Sequence, residues 1–248
     1  MIDERSQLTF APWIKRSAGQ SSDGATVVFP HAGGAAAAYR AFASALARAG
    51  DDAYVVQYPQ RADRLRHPAP ETVQDLAADL FAAGDWSELG PLRLFGHCMG
   101  AVIAFEFGRV AERNGIPVRQ LWVSASQAPS TIATSPRLPT AEAEVVANMV
   151  DLGGTDPRLL ADEDFIELLV RAVRADYTAF NRYACEADVR LAADIHTVGG
   201  RDDHRISPDM LRGWETHTHG AFTLSLFDGG HFYINDHLDA VAELVNAG

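Results

Sequence analysis

The sequence specifies an α/β fold in which a mainly parallel sheet carries helices on both faces. Short β-branched or aromatic runs alternate with segments of helical spacing along most of the chain, the order that builds parallel strands joined by crossover helices. The length of 248 residues suits one such domain with a substantial core and room for an inserted subdomain.

The elements follow in order. "ATVVFP" (25–30) reads as a strand and leads into an Ala-rich helix over 36–49. "AYVVQYP" (53–59) is a second strand, and 72–83 has helical spacing. "PLRLFG" (91–96) is a third strand, followed by a helix starting near Cys98. "QLWVSAS" (120–126), "ADIHTVGG" (193–200) and "TLSLFDGG" (223–230) are further strands, and a final helix covers 235–246. One segment breaks the rhythm. Between 127 and 187 a Pro-containing loop, "APSTIATSPRLPT", precedes helical patterns at 141–152, 162–174 and 176–183. An all-helical insertion between two strands is expected to be a lid. The division is therefore a core of 1–126 and 188–248 with a helical lid subdomain of 127–187.

Composition narrows the function. A net charge of −12 argues against a nucleic-acid partner, which needs a concentrated positive surface. A local basic stretch, "QRADRLRH", offers Arg61, Arg64 and Arg66 as a docking patch for an acidic protein. No run approaches the ~18 apolar residues of a membrane span, so no membrane partner is expected. The opening "MIDERSQLTFAPWIKR" lacks the pattern of a secretory signal, and two cysteines, Cys98 and Cys185, make no disulfide framework; a reducing cytoplasm is the expected compartment.

The chemistry centres on "GHCMG" (96–100), which fits the pattern G-x-nucleophile-x-G between a strand and a helix. The central residue of such a turn adopts a strained backbone, and side chains two before or two after it would collide with neighbouring backbone. Cys98 is then held clear at a helix N-terminus, whose partial positive charge favours an anion. In this architecture an acid and then a histidine follow the nucleophile along the chain. "VGGRDDHRIS" supplies carboxylates at Asp202 and Asp203, between which spacing does not choose, and "FDGGHFYI" places His231 just past a strand end. Oxyanion donors are expected from the backbone N–H of Met99 and, in "FPHAGGAAAAY" (29–39), of Ala32 or Gly33. Other features receive plainer readings. His97 and the Met99 side chain are assigned to packing, and "HTHG" (217–220) to solvent; no metal site is expected.

Taken together, "FPHAGG", "VQYPQRADR", "LFGHCMGAVIAFE", "SQAP", "GGRDD" with the later "GW", and "GGHFYI" make the chain resemble the type II thioesterases of polyketide and non-ribosomal peptide synthesis. The resemblance runs from about Phe10 to the last helix. It implies an α/β-hydrolase fold and a free-standing hydrolase of acyl or aminoacyl thioesters, editing an assembly line by clearing phosphopantetheine arms of carrier domains. It also implies a Cys98–Asp202–His231 triad, a helical lid, carrier docking through Arg61 and Arg64, and no cofactor beyond the substrate's own phosphopantetheine. Two positions depart from the family pattern: Cys98 stands where serine is usual, and Gln60 where glycine is usual.

Sulfur changes the reaction. A cysteine beside a helix N-terminus and an imidazole can rest as an ion pair, whereas serine waits for its base. Thiolate attack on a thioester yields another thioester, so the exchange is nearly balanced. A second carrier thiol could then accept the acyl group in place of water, which makes an acyl or aminoacyl transferase the alternative to a hydrolase. A small-ester or lactone hydrolase and a non-enzymatic binding module are the remaining readings.

Overall fold

The computed structural model describes residues 10, 12–48, 50–154 and 162–248. The opening segment, apart from residue 10 and residues from 12 onward, the end of the helix expected at 36–49, and 155–161 of the expected lid lie outside the described residues. Among the described residues, seven strands form one sheet: β1 (Ile14–Ser17), β2 (Ser21–Phe29), β3 (Asp51–Val56), β4 (Leu92–His97), β5 (Val118–Ser124), β6 (Asp194–Gly200) and β7 (Phe222–Phe227). Their order is β1-β3-β2-β4-β5-β6-β7, with every pairing parallel except that of β1 on β3. β4 is buried at all six positions, the near-continuous apolar run of a strand covered on both faces.

Helices α1 (Arg40–Arg48), α2 (Val73–Ala82), α3 (Met99–Arg113) and α7 (Leu238–Ala247) cover the two faces. On one face Leu76, Leu80, Ile103 and Phe107 of α2 and α3 pack against Val27, Leu94, Leu121 and Ile195 of the sheet. On the other, Phe42, Leu46, Val241 and Val245 of α1 and α7 pack against Val28, Val55, Phe95 and Trp122. Successive sheet residues thus feed alternate cores, as the two-residue strand period requires. Between β5 and β6 lies a helical insertion containing α4 (Glu142–Leu152) and α5 (Glu163–Asn181), and a short helix α6 (Pro208–Arg212) follows β6. The insertion has a small core of its own, Val145 and Met149 against Val170, Val173 and Tyr177, with Ala32 packed at its edge.

Several expected boundaries move. The strand β1 was not legible: "IKRS" is short, polar and pairs only at the sheet edge. The start of the helix expected at 36–49 is a tight 3-10 turn over Ala36–Tyr39 before α1 begins. The helices expected at 162–174 and 176–183 are one, α5, because nothing at residue 175 interrupts it. The last strand stops at Phe227, since Gly229 turns the chain at φ +109.

The chain runs from β2 to β3 on one side of β2, then returns to β4 on the other. That reversal opens a crevice beyond the carboxyl ends of β2 and β4, the place where open α/β sheets bind ligands. Phe29 pairs with Gly96 in register, so the loops that follow these strands emerge side by side. A Cβ on Gly100 would lie 2.1 Å from the Phe29 carbonyl oxygen, so α3 seats directly on that crevice. Gly100→Ala is therefore expected to destabilise the fold by about 2–3 kcal/mol in urea unfolding. Gly153→Ala, with open space around it at φ +75, should lose only the left-handed backbone cost of about 1 kcal/mol.

Candidate active site

Cys98 caps α3 with φ 56 and ψ −123, a strained conformation for a residue with a side chain. Its N–H donates to the Ser124 carbonyl at 2.8 Å, which ties the turn to the end of β5. The flanking glycines are required as the pattern demands. A Cβ on Gly96 would meet Ala101 Cα at 2.4 Å, and one on Gly100 would meet backbone of the neighbouring loop. The loop after β3 repeats the theme at the second departure from the family pattern. Gln60 sits at φ 65, the left-handed region that favours glycine.

His231 follows β7 and is 4% exposed. Its Nδ1 and Asp203 Oδ2 are 2.8 Å apart. The other Asp203 oxygen accepts from the N–H of Arg205 at 2.8 Å and of Ile206 at 3.1 Å. Burial disfavours charge on Asp203, but the hydrogen bond and charge of His231 with those two N–H groups outweigh it and hold its pKa below the usual carboxylate range. The structure thus corrects the choice of acid: Asp203, not Asp202, meets the histidine. Asp202 is exposed, and it serves the site through its backbone, whose N–H donates to the Gly229 carbonyl at 2.9 Å. The backbone turn that brings Asp202 onto the glycine loop aims the next side chain inward. Asp203 also closes an Asx turn, accepting from N–H groups two and three residues on, a local bond that Asp residues in turns commonly make.

The Nε2 of His231 is buried and has no oxygen or nitrogen partner among the described residues. Its near neighbour is Cys98. Burial disfavours the imidazolium, but the Cys98 sulfur, followed by Asp203, more than compensates and lifts the His231 pKa to about 10. Two further histidines stand close by. The His97 ring centroid lies 5.4 Å from that of His231 and 6.0 Å from that of His31, and Phe232 packs against all three. Burial, then the charge of His231, pushes both neighbours down, His31 to about 3 and His97 well below its ordinary value. His97 Nδ1 pairs with Ser124 Oγ at 2.8 Å, and that oxygen with Tyr233 Oη at 2.7 Å. His31 Nδ1 pairs with Tyr39 Oη at 2.7 Å. One imidazole of the three is placed to carry a proton.

Two cavities meet at Cys98. One, of about 330 Å³, is lined by Cys98, His231, Ala32 and Met99 and by insertion residues including Leu138, Tyr177 and Phe180. The other, of about 60 Å³, opens between His31, Phe232, Met149 and Val173. Ala32 and Met99, the residues expected to supply backbone donors, both line the larger cavity. The Gly33 N–H is engaged elsewhere, donating to Asp176 Oδ2 at 2.7 Å.

Three further expectations are revised. Arg61 and Arg64 are 6% and 4% exposed, so neither presents a docking surface. Arg61 donates to Asp176 and to the Pro59 carbonyl, and Arg64 stacks 3.5 Å over the Trp13 ring and donates to the Gln57 carbonyl. The run reads as a docking patch because the partners that bury Arg61 and Arg64, Asp176 and Trp13, are far away in sequence. His217, read as solvent-facing, is fully buried between Ser130 Oγ at 2.9 Å and the Val189 carbonyl at 2.7 Å. Among the described residues, no group of three or more His, Cys, Asp or Glu side chains is arranged to hold a metal ion, and no helix is long and apolar enough to cross a membrane.

A strained elbow, an Asp–His pair and a crevice at the strand ends define a hydrolase-type site on an α/β sheet. Residues 26–248 match the family model of the thioesterase domain, and the chain belongs to that family. It is 63% identical over 246 residues to the phenyloxazoline synthase MbtB of Mycobacterium tuberculosis, covering 99% of this chain and 17% of that protein. The chain thus spans about a sixth of the length of that curated relative. It is 34% identical over 239 residues to thioesterase PikA5 of Streptomyces venezuelae, covering 95% of this chain and 85% of that one. Among solved structures, the type II thioesterase BorB from the borrelidin biosynthetic cluster superposes with a TM-score of 0.78 at 36% identity, over 94% of this chain and 96% of that one. The fold is accordingly that of the α/β-hydrolases.

The two carboxylates are separable by experiment. Asp203→Asn should reduce kcat/KM for a thioester by about 10³-fold or more, whereas Asp202→Asn should stay within about twofold, since that residue's side chain is exposed. The His231 ring should titrate near 10 by NMR, charged at neutral pH and losing its proton as pH rises. Cys98→Ala removes the largest raising influence, so the midpoint should fall.

Proposed function

We propose that the protein cleaves acyl or aminoacyl thioesters carried on the phosphopantetheine arms of carrier domains in polyketide or non-ribosomal peptide assembly, through a Cys98–His231–Asp203 triad. One observation carries the reading: the buried, otherwise unpartnered Nε2 of His231 stands beside a sulfur at a strained elbow, with Asp203 on the opposite ring nitrogen. Relatives named as thioesterases support a thioester substrate, and the similarity at 27% identity to YbtT, a type II thioesterase from the yersiniabactin NRPS/PKS biosynthetic pathway, supports the assembly-line setting.

The steps follow from the geometry. The Cys98 sulfur attacks the thioester carbonyl carbon while His231 holds the proton. The carbonyl electron pair moves onto oxygen, which the N–H groups of Ala32 and Met99 stabilise. Collapse of that intermediate expels the pantetheine sulfur, which takes the proton from His231 and leaves an acyl group on Cys98. Water, deprotonated by the same imidazole, then releases the free acid and restores the thiol. Asp203 keeps the ring oriented throughout. In this reading the acyl chain occupies the cavity of about 330 Å³, and the pantetheine arm enters by the smaller one. The helical insertion acts as the lid over both.

The sulfur at the elbow favours a second reading, acyl transfer between carriers, because the acyl-enzyme keeps the bond energy of a thioester. Intact-protein mass spectrometry after mixing with an acylated carrier tests the first claim. An acyl mass is expected on the native chain and not on Cys98→Ala, and a label that persists in that variant would rule out the triad. Adding an excess of a second, unacylated carrier separates the outcomes. Free acid as the product supports hydrolysis, and an acylated second carrier supports transfer.

A further inference from the structure

Among the described residues of the insertion, Asp176 is a buried acidic group that reaches the loop beside Cys98, and the reaction steps above do not use it. It lies on α5 and is 6% exposed. Its Oδ2 accepts from the Gly33 N–H at 2.7 Å and from Arg61 Nη2. Arg61 in turn donates through Nη1 to the Pro59 carbonyl at 2.7 Å. One oxygen atom therefore ties three segments together: the loop after β2, the loop after β3, and α5 of the insertion.

The tie lands on a sensitive peptide. Gly33 has φ +78, and a Cβ there would lie 2.4 Å from Val173 Cγ2 of the same helix, so α5 presses directly on the loop. Ala32, the residue before it, lines the cavity that holds Cys98 and His231. The Gly33 N–H belongs to the peptide joining Ala32 to Gly33, so anchoring it fixes the ψ of Ala32 and the plane next to the Ala32 N–H. Charge makes the anchor strong. A hydrogen bond to a buried ionised carboxylate is roughly twice as strong as a neutral one, and Arg61 offsets the cost of burying that charge.

We propose that Asp176, held by Arg61, is a positioning residue that sets the oxyanion loop from the insertion. It keeps the Ala32 N–H aimed at the carbonyl oxygen of the substrate and leaves Gly33 unavailable as a donor. The inference rests on Cys98 being the nucleophile, as proposed above. It adds that the oxyanion site is complete only while α5 is seated.

A trifluoromethyl ketone carrying ¹³C at its carbonyl tests this directly. The Cys98 sulfur adds to the labelled carbon and the carbonyl pair passes to oxygen, so the ¹³C shift against pH gives the ionisation midpoint of the adduct. In Asp176→Ala that midpoint should rise by about one pH unit or more, and kcat for a small thioester should fall at least ~10-fold. KM should stay within about twofold, and alkylation of Cys98 by iodoacetamide, which forms no oxyanion, should be unchanged. Asp176→Asn keeps an accepting oxygen but loses the charge paired with Arg61, so its midpoint should lie between the native and alanine values. If the alanine variant does not fold, Asp176→Glu keeps the charge but drives the acceptor into the loop, and the same rise is expected. An unchanged midpoint in a folded Ala or Glu variant overturns the inference alone. A native protein that forms no adduct and resists alkylation removes the nucleophile, and this inference falls with it.

Discussion

The site depends on one turn of backbone. Cys98 is held at a positive φ, a conformation that costs on the order of 1–3 kcal/mol and persists only where its surroundings fix it. Here the surroundings are backbone atoms on three sides: the Ser124 carbonyl that accepts its N–H, Ala101 against Gly96, and the Phe29 carbonyl against Gly100. Each contact joins the turn to a different strand or helix. The register between Phe29 and Gly96 then carries that restraint into the neighbouring loop, so the position of the sulfur and of the Ala32 peptide have a common origin.

Around this turn the protein keeps three imidazoles within a few ångströms and charges one. Burial works against a proton on all of them, and only His231 has a carboxylate on one ring nitrogen and a sulfur near the other. His31 and His97 are paired with hydroxyls instead, and the charge on His231 further suppresses theirs. Such separation of proton affinities among like groups assigns acid–base duty without any special residue type. His97, fully buried against Ser124, His231 and Phe232, is the packing residue that the sequence suggested.

What was legible in the sequence was what is local in the chain. The elbow, the glycine loop before α1 and the glycine pair before His231 are each encoded within a few residues, and six of the strands announce themselves by β-branched or aromatic runs. What escaped depends on contacts between distant segments. Asp202 and Asp203 are adjacent, and the bonds that set which side chain turns inward include one from the Asp202 N–H to the distant Gly229 carbonyl. Arg61 reads as a surface charge until Asp176, 115 positions later, is folded onto it. His217 looked exposed for the same reason, its partners Ser130 and Val189 being brought to it by tertiary packing. The β1 strand is legible only as a partner of β3, having no apolar face of its own.

Two of the ion-pair contacts that fasten the insertion to the body differ in character. At one, Asp176 and Arg61 are shut away from water, while at the end of α4 Asp151 pairs at the surface with His204 and Arg205, which follow Asp203 in the chain. Ions in solution screen exposed charges and barely touch buried ones. Rising ionic strength therefore loosens the exposed pairing at the margin of the larger cavity first and leaves the buried anchorage in place, so that margin can yield while the Gly33 loop stays held.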